Sequence, residues 1–198
     1  LEFRRVLFRS HTTQDRAREK TFLTRHGFAC APYRIVDSPD ALRRAVAEVG
    51  LPAILKTAAF GYDGKGQVRL LAATDVDAAW TRLGAGADGP RRLVLEGMVD
   101  FECELSVVAA RGLDGTVAAF PPTRNDHANH ILDVSSVPAR LPAGLLDEAT
   151  TLTARILEAL GVVGVACVEF FATRDGRVLV NEIAPRTHNS GHLTIEAC

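Results

Sequence analysis

Residues 168–184, VEFFATRDGRVLVNEIA, read as two β-strands joined by a tight turn. Asp-Gly is among the strongest short hairpin signals, so Asp175 and Gly176 are predicted to be the two central residues of a type I′ turn. That turn places Glu169 directly opposite Glu182 on one face of the hairpin. Because the neighbouring residues are apolar, both carboxylates are expected beside a core.

Two carboxylates that face each other across a hairpin repel, because their Cβ atoms are only about 4.5 to 5.5 Å apart. They therefore need a shared proton or a cation. A Mg2+ ion suits Glu169 and Glu182, since it prefers oxygen ligands and leaves positions for water and substrate phosphates, and Asn181 adds a neutral oxygen. Three alternatives stay open: one glutamate turned to solvent, a bulge that shifts the register by one residue, or a proton-sharing acid/base dyad.

A second informative stretch is Lys56–Gln67, KTAAFGYDGKGQ, which follows the apolar run LPAIL and has glycines at 61, 64 and 66. On its own it predicts a hairpin, and it matches neither GxxxxGK[ST] nor GxGxxG. A glycine-rich hairpin can also expose backbone N–H groups to an anion. Lys56, at the end of an apolar strand, must reach solvent or meet an anion. A plain turn and a phosphate cradle are both compatible with this stretch.

Helical and strand-like segments are interleaved along the chain with largely antiparallel pairing, which predicts an α+β fold of two layered subdomains. Helices are predicted at 14–26 with Thr13 as cap, between the N-cap Ser38 and Gly50, at 74–83 with a capping arrangement of Thr74 and Asp77, and at 145–160. Strands are predicted at 33–36, 51–56, 68–72, 92–98, 104–112, 116–121, 162–172 and 177–184.

Composition limits the classes of function. The 198 residues include 23 basic and 24 acidic side chains, so a net charge of -1 gives no electrostatic case for nucleic acid or an anionic membrane as partner. No apolar run approaches the roughly 20 residues that span a bilayer. The four cysteines are scattered, which favours reduced thiols and a cytoplasmic protein. Residues 1–13 are expected to be a tail of non-native appearance, and the chain is expected to be part of a longer protein.

The lysine, the glycine loop and the paired acidic residues together resemble the ATP-grasp superfamily, in which two α+β subdomains clamp ATP. Four segments are similar to the N5-carboxyaminoimidazole ribonucleotide synthetase (PurK) family within it. They are GYDGKGQ at 61–67, EGMVDFECELS at 96–106, RNDH at 124–127 and VNEIAPRTHNSGH at 180–192. The similarity extends from about residue 14 to residue 198.

This resemblance implies an ATP-dependent ligase that joins bicarbonate to 5-aminoimidazole ribonucleotide in purine biosynthesis. ATP and Mg2+, for which Mn2+ can substitute, are the implied cofactors, and carboxyphosphate is the implied intermediate. The implied partners are small molecules, and the full-length protein is expected to be a homodimer. By resemblance, residues 14–95 form the small subdomain and 96–198 part of the large one, with the family's N-terminal and C-terminal domains absent.

The resemblance also assigns site residues. Asp63 and Lys65 are the implied catalytic residues, with Asp63 steering the proton of the amine. Glu169 and Glu182 are the implied metal ligands. The implied nucleotide-binding residues are Lys56, Gly61, Tyr62, Asp63, Gly64, Lys65, Gly66, Gln67, Glu96, Gly97, Met98, Val99, Glu104, His127 and Asn181. The implied ribonucleotide-binding residues are Tyr62, Asp63, Lys65, Arg186, His188, Asn189 and Ser190.

Two other functions remain open at the level of sequence. One is another ATP-grasp carboxylase or ligase, of the biotin carboxylase or formate-dependent glycinamide ribonucleotide transformylase type. The second is a module that binds ATP without turning it over.

Overall fold

The structure is a computed structural model that describes residues 11–59, 66–86, 89–90, 92–128 and 131–195, with backbone alone at 85–86 and 89–90. The chain divides into two compact units. The four-stranded unit comprises Gln14–Thr21 and Ala31–Val99. The six-stranded unit comprises Phe22–Cys30, Asp100–Cys198 and the described part of Leu1–Thr13. These bounds differ from the division into 14–95 and 96–198 mainly in the placement of Phe22–Cys30.

In the four-stranded unit, all strand pairs are antiparallel and the spatial order is β1-β6-β2-β3. Two helices cover one face, where buried leucines of the strands pack with apolar residues of the helices. Ser38 caps one of these helices by accepting the Ala41 N–H at 3.2 Å, as predicted. The elements are β1 Tyr33–Val36, α2 Pro39–Val49, β2 Ala53–Thr57, β3 Gln67–Leu70, α3 Val76–Leu83 and β6 Leu93–Gly97, with the short pair β4 Ala85–Gly86 and β5 Gly89–Pro90.

The first described helix of regular length, α1 (Arg16–Arg25), begins later than predicted. Its first turn is capped by Asp15, whose carboxylate accepts the Arg18 N–H at 2.9 Å, and not by Thr13. The predicted cap of α3 is also wrong. The helix begins at Val76, after a 3-10 turn in which the Asp75 carboxylate accepts the N–H groups of Leu71 and Ala72, so Thr74 is not its N-cap. Asp75 lies between the two residues of the predicted box and bonds the chain before the helix, so spacing alone does not identify the cap.

The six-stranded unit contains one antiparallel sheet with the order β10-β9-β7-β11-β12, and β8 pairs with β7. The helix α4 packs on one face of this sheet, where Ile156 and Leu157 are fully buried with Leu105, Val168 and Phe170. The elements are β7 Phe101–Arg111, β8 Val117–Ala119, β9 Thr123–Ala128, β10 Ile131–Ser136, α4 Ala143–Ala159, β11 Gly164–Thr173 and β12 Val178–Ala184.

The strands β9 and β10 were not predicted from the sequence. β9 carries Arg124, Asn125, Asp126 and His127 in succession, so it lacks the apolar alternation that indicates a half-buried strand. Its backbone pairs with β7 on one side and β10 on the other, and that pairing stabilises a strand of polar residues.

The structure contains no membrane-spanning helix among the residues that it describes. Cys30, Cys103 and Cys167 are free thiols.

Candidate functional site

The hairpin of β11 and β12 pairs Glu169 with Glu182, so the register predicted from the sequence is confirmed. The turn type behind that prediction is wrong. The Thr173 N–H donates to the Arg177 carbonyl at 2.9 Å, which makes a three-residue turn that ends on Gly176 at φ 82. Near the turn the ladder is therefore offset by one residue from the prediction.

A bulge restores the predicted pairing. The register shifts between Glu169 and Phe170, where Phe170 pairs with Val180 and Glu169 pairs with Glu182. Asn181 is the extra residue on β12, so Asn181 and Glu182 together oppose Glu169. The alternative that a bulge removes the pairing is excluded, because this bulge creates it.

The pair lies on the sheet face opposite α4, here called the polar face. Residues that are directly opposed, or two apart along a strand, share a face. Ser106 is opposite Glu169, and Glu104 is opposite both Phe171 and Asn125. The polar face therefore carries Glu104, Ser106, Asn125, His127, Glu169 and Glu182.

On this face Glu104 and His127 lie close together, with 3.7 Å between Oε2 and Nδ1. Beside them a buried hydrogen-bond chain links three strands. The Asn125 amide donates to Ser106 Oγ at 3.0 Å, and Ser135 Oγ donates to Asn125 Oδ1 at 3.0 Å. These hydrogen bonds fix Asn125, and Glu104 and His127 are two of the polar side chains on this face that could contact a ligand.

His188 follows β12 and approaches the acidic pair. Its Nδ1 lies 3.1 Å from Glu169 Oε1 and 3.2 Å from Ser190 Oγ. Burial lowers the pKa of His188, opposed by the charge of Glu182. Cys167 lies under Ser190, with Sγ 3.7 Å from the Ser190 hydroxyl, and burial raises the pKa of this thiol to about 12. The thiol is therefore protonated and chemically inert near neutral pH.

The predicted ribonucleotide-binding residues differ in exposure. Arg186 and Asn189 are exposed and His188 is half-buried. Ser190 is buried at 1% exposure, and its hydroxyl lies beside His188 and Cys167. The Arg186 guanidinium donates to the Thr187 carbonyl at 2.7 Å. Arg186 and Asn189 are thus accessible to a ligand in this structure, and Ser190 is not.

In the four-stranded unit, Lys56 contacts a buried carboxylate. Its Nζ lies 3.1 Å from Glu96 Oε2, and Lys20 Nζ lies 3.6 Å from the same oxygen. Arg16 Nη1 lies 3.7 Å from Glu96 Oε1. Burial raises the pKa of Glu96, but Lys20, Lys56 and Arg16 together outweigh it and lower this pKa to about 2. Burial lowers the pKa of Lys56, and Glu96 opposes that effect.

Arg16 and Lys20 were missed by the sequence reasoning. They lie four residues apart on α1 and therefore on the same side of the helix, so their spacing was the available signal. Two basic residues with that spacing are common on solvent-exposed helices. Only the packing of α1 shows that these two contact Glu96. Ala17, between them in sequence, packs with Ala58 and Val94 of the same unit.

The predicted adenine hinge, Glu96–Val99, consists of the last two residues of β6 and the two residues that follow it. The Gly97 N–H donates to the Pro32 carbonyl at 2.8 Å, and the Met98 N–H donates to the Pro52 carbonyl at 3.1 Å. The Glu96 side chain points into the cation cluster. A hydrogen bond from Glu96 or Gly97 to adenine would therefore be made by the backbone carbonyl oxygen of that residue.

The glycine loop is described only at its ends. The predicted pairing of the two strands that flank the loop is confirmed, because β2 pairs with β3, and Lys56 lies opposite Gln67 at the loop end. Gly66 has φ 76, and a Cβ there would lie 2.7 Å from Thr57 Oγ1, so this position requires glycine. Gly61, Tyr62, Asp63, Gly64 and Lys65 lie outside the described residues.

A divalent cation would need more ligands than this part of the chain assembles. Within the described ranges, no group of three or more His, Cys, Asp or Glu side chains is arranged to hold a metal. The donor set nevertheless fits Mg2+, because two opposed carboxylates and the neighbouring Asn181 supply hard oxygen ligands and leave positions for another ligand.

Comparison with known proteins gives consistent relatives. A family model for the ATP-grasp domain matches residues 21–198. The N5-carboxyaminoimidazole ribonucleotide synthase of Brucella melitensis is 46% identical over 186 residues, which cover 94% of this chain and 51% of that protein. A crystal structure of the ADP complex of purK, N5-carboxyaminoimidazole ribonucleotide synthetase, matches with TM-score 0.88 and 42% identity over 95% of this chain and 48% of its own.

A third relative is a crystal structure of N5-carboxyaminoimidazole synthase from Aspergillus clavatus in complex with ADP and 5-aminoimidazole ribonucleotide. It matches with TM-score 0.83 and 27% identity over 95% of this chain and 48% of its own. The chain thus spans about half the length of these relatives. The expected α+β fold with antiparallel sheets is confirmed, and this chain belongs to the ATP-grasp family.

Proposed function

We propose that the protein that contains this chain is an ATP-dependent carbon-nitrogen ligase of purine biosynthesis. It joins bicarbonate to 5-aminoimidazole ribonucleotide, giving N5-carboxyaminoimidazole ribonucleotide, ADP and phosphate. The observation that carries the proposal is the 46% identity, over 94% of this chain, to a protein with that synthase name. The opposed carboxylates on the polar face support it, because ATP chemistry requires a divalent cation.

The cations of the four-stranded unit bind phosphate oxygens. Lys56 and Arg16 are both partly exposed, at 14% and 22% of their side chains, so they can reach a ligand from the cluster around Glu96. Gly66, Gln67 and the loop residues Gly61 and Gly64 offer backbone N–H groups to the same phosphates. Positive charge placed there stabilises the oxygen charge that develops during phosphoryl transfer.

The nucleoside is bound through hydrogen bonds. Glu104 accepts hydrogen bonds from the ribose hydroxyls, and His127 lies beside it near the nucleotide. Met98 and Val99, with the carbonyls of Glu96 and Gly97, contact adenine. Since the N–H groups of Gly97 and Met98 are already bonded within the unit, they keep this segment in position.

Glu169 and Glu182 would hold Mg2+, with Asn181 assisting, and Mn2+ could replace it. When bound, the metal neutralises phosphate oxygens. The bulge contributes by placing Asn181 and Glu182 together opposite Glu169. His188 contacts the Glu169 carboxylate and helps to orient it.

In the reaction, a bicarbonate oxygen attacks the γ-phosphorus, the bond to the β-phosphate oxygen breaks, and ADP leaves. The exocyclic amine of the ribonucleotide then attacks the carbonyl carbon of carboxyphosphate and phosphate leaves. Asp63 accepts the proton that the amine loses, and Lys65 and Tyr62 position the ribonucleotide; all three lie outside the described residues. Arg186, His188 and Asn189 bind the ribonucleotide phosphate, and the buried Ser190 contributes through its contact with His188.

The four-stranded and six-stranded units correspond to the two subdomains of the family. The full-length protein forms a homodimer and acts in the cytoplasm.

An assay of ADP release tests the proposal. The full-length protein is given ATP, Mg2+ and bicarbonate with one candidate amine at a time. Stimulation by 5-aminoimidazole ribonucleotide alone is the expected result. Stimulation by glycinamide ribonucleotide or biotin would assign another ligase activity. ATP binding without ADP release in the presence of any of these compounds would show that the protein is a module that binds ATP without turning it over.

A further inference from the structure

The cluster around Glu96 contains one lysine that the proposed reaction does not use. Lys20 has 0% of its side chain exposed, whereas Lys56 and Arg16 keep 14% and 22% exposed. Lys20 therefore cannot reach a ligand without repacking of α1. A lysine is seldom fully buried unless it is paired, and Lys20 pairs with Glu96.

Glu96 has more cationic neighbours than a single charge needs. Its Oε2 lies 3.1 Å from Lys56 Nζ and 3.6 Å from Lys20 Nζ, and its Oε1 lies 3.7 Å from Arg16 Nη1. Two of these three cations are also the ones proposed to bind nucleotide phosphate. Each of them can move to a phosphate only by giving up part of its interaction with Glu96.

Without Lys20, that exchange would leave a buried carboxylate without a counterion, which is strongly unfavourable. We propose that Lys20 is a positioning residue that remains with Glu96 while Lys56 and Arg16 turn to the nucleotide phosphates. In the free protein, Glu96 is the anion that Lys56 and Arg16 contact, as phosphate is in the complex. Lys20 neutralises Glu96 when those two cations move to the nucleotide, so the move costs less free energy. The inference rests on the proposed binding of ATP and adds a residue that acts without touching it.

The burial and register of the cluster favour this assignment. Glu96 is opposite Ile54 on β2, and Lys56 lies two residues further along the same face, so the strand pairing fixes the distance between Glu96 and Lys56. Lys20 comes from α1, a separate element, and can hold Glu96 whether or not Lys56 moves.

Equilibrium binding of ATP, ADP and adenosine to the full-length protein tests the inference. Replacing Lys20 with methionine keeps the length of the side chain and removes its charge. Lys20→Met is expected to weaken ATP and ADP binding about tenfold or more, because Lys56 and Arg16 are then needed by Glu96. Adenosine binding should change little, since adenosine has no phosphate.

The informative variant is the double substitution Lys20→Met with Glu96→Gln. It removes the carboxylate that competes with phosphate, so most of the ATP affinity lost in Lys20→Met should return. Lys20→Arg, which keeps the charge, should bind ATP within about threefold of the wild type.

Three outcomes would overturn the inference while leaving ATP binding by the wild type intact. They are wild-type ATP affinity in folded Lys20→Met, no recovery in the double variant, and equal losses for adenosine and ATP. If Lys20→Met does not fold, the double variant alone tests the inference. An ATP affinity more than about tenfold below that of the wild type in the double variant would show that Lys20 itself is needed at the ligand, and would contradict the positioning role. Failure of the wild type to bind ATP would instead contradict the proposed function.

Discussion

At the scale of single residues, Glu96 links the charge cluster to the stability of the protein. Its pKa is lowered from 4.5 to about 2 in the folded state, because the three cations around it outweigh the effect of burial. A carboxylate with a lowered pKa stabilises the fold above its unfolded pKa, and this contribution is lost as pH falls through the folded pKa. The contribution of Glu96 is therefore complete above pH 4.5 and disappears towards pH 2.

We expect Glu96→Gln to flatten the acid side of the stability profile. The wild type should lose up to about 3 kcal/mol of unfolding free energy from this residue as pH falls through that window, and the variant should not. Denaturant unfolding at a series of pH values measures the difference. Glu148→Gln, the same change on the exposed surface of α4, is the matched control. Parallel profiles for wild type and Glu96→Gln would contradict the prediction.

The acidic pair gives a second prediction for single residues. Glu182→Gln keeps the size of the side chain and removes a charge opposite Glu169, so kcat/KM for ADP release should fall by about a hundredfold or more. Steady-state kinetics at several Mg2+ concentrations should show that part of the loss is recovered at high Mg2+. Glu148→Gln should leave the kinetics unchanged. If the Mg2+ dependence of Glu182→Gln equals that of the wild type, Glu169 and Glu182 do not bind the metal.

At the scale of elements, both Asp-Gly turns in the described chain have three residues and end on glycine. Gly115 has φ 88 and Gly176 has φ 82, a conformation that costs other L-residues energy. A β-carbon built on Gly176 meets nothing within 4 Å, so the only penalty there is in the backbone. The sequence identifies such a turn but not its length, because two-residue and three-residue turns use the same residues.

This leads to a paired prediction. Gly176→Ala should lower the free energy of unfolding by about 1 kcal/mol through its left-handed backbone. Gly144→Ala, in the first turn of α4 and also without neighbours within 4 Å, should raise it by about 0.5 to 1 kcal/mol. Chemical denaturation of both variants measures the contrast. Equal effects of the two substitutions would show that backbone conformation does not matter at the turn.

The elements also show where sequence reasoning succeeds and where it ends. The pairing of Glu169 with Glu182 was predicted from a two-residue turn at Asp175 and Gly176. The turn has one residue more than predicted, and the bulge at Asn181 compensates for the difference. The strand that carries His127 was missed because its residues are polar and its stability comes from neighbouring strands. Arg16 and Lys20 were missed because only tertiary packing brings α1 to Glu96.

At the scale of the whole molecule, ATP and Mg2+ should stabilise the protein together. A ligand that binds only the folded state at 100 times its Kd adds about 2.7 kcal/mol of stability. We expect ATP with Mg2+ to raise the Tm of the full-length protein, and Glu182→Gln to lose most of the part that depends on Mg2+. Thermal unfolding with ATP alone, Mg2+ alone and both provides the measurement. Equal Tm shifts in wild type and variant would count against a shared metal and nucleotide site.

The two three-residue turns also bear on how the protein ages. An aspartate followed by glycine can cyclise to a succinimide when the glycine nitrogen attacks the side-chain carbonyl, and an ionised carboxylate is a poor electrophile. Hydrogen bonds from Thr173 lower the pKa of Asp175, and those from Thr116 lower the pKa of Asp114, so both carboxylates stay ionised. Spontaneous isomerisation to isoaspartate should therefore be slow at these two positions during storage.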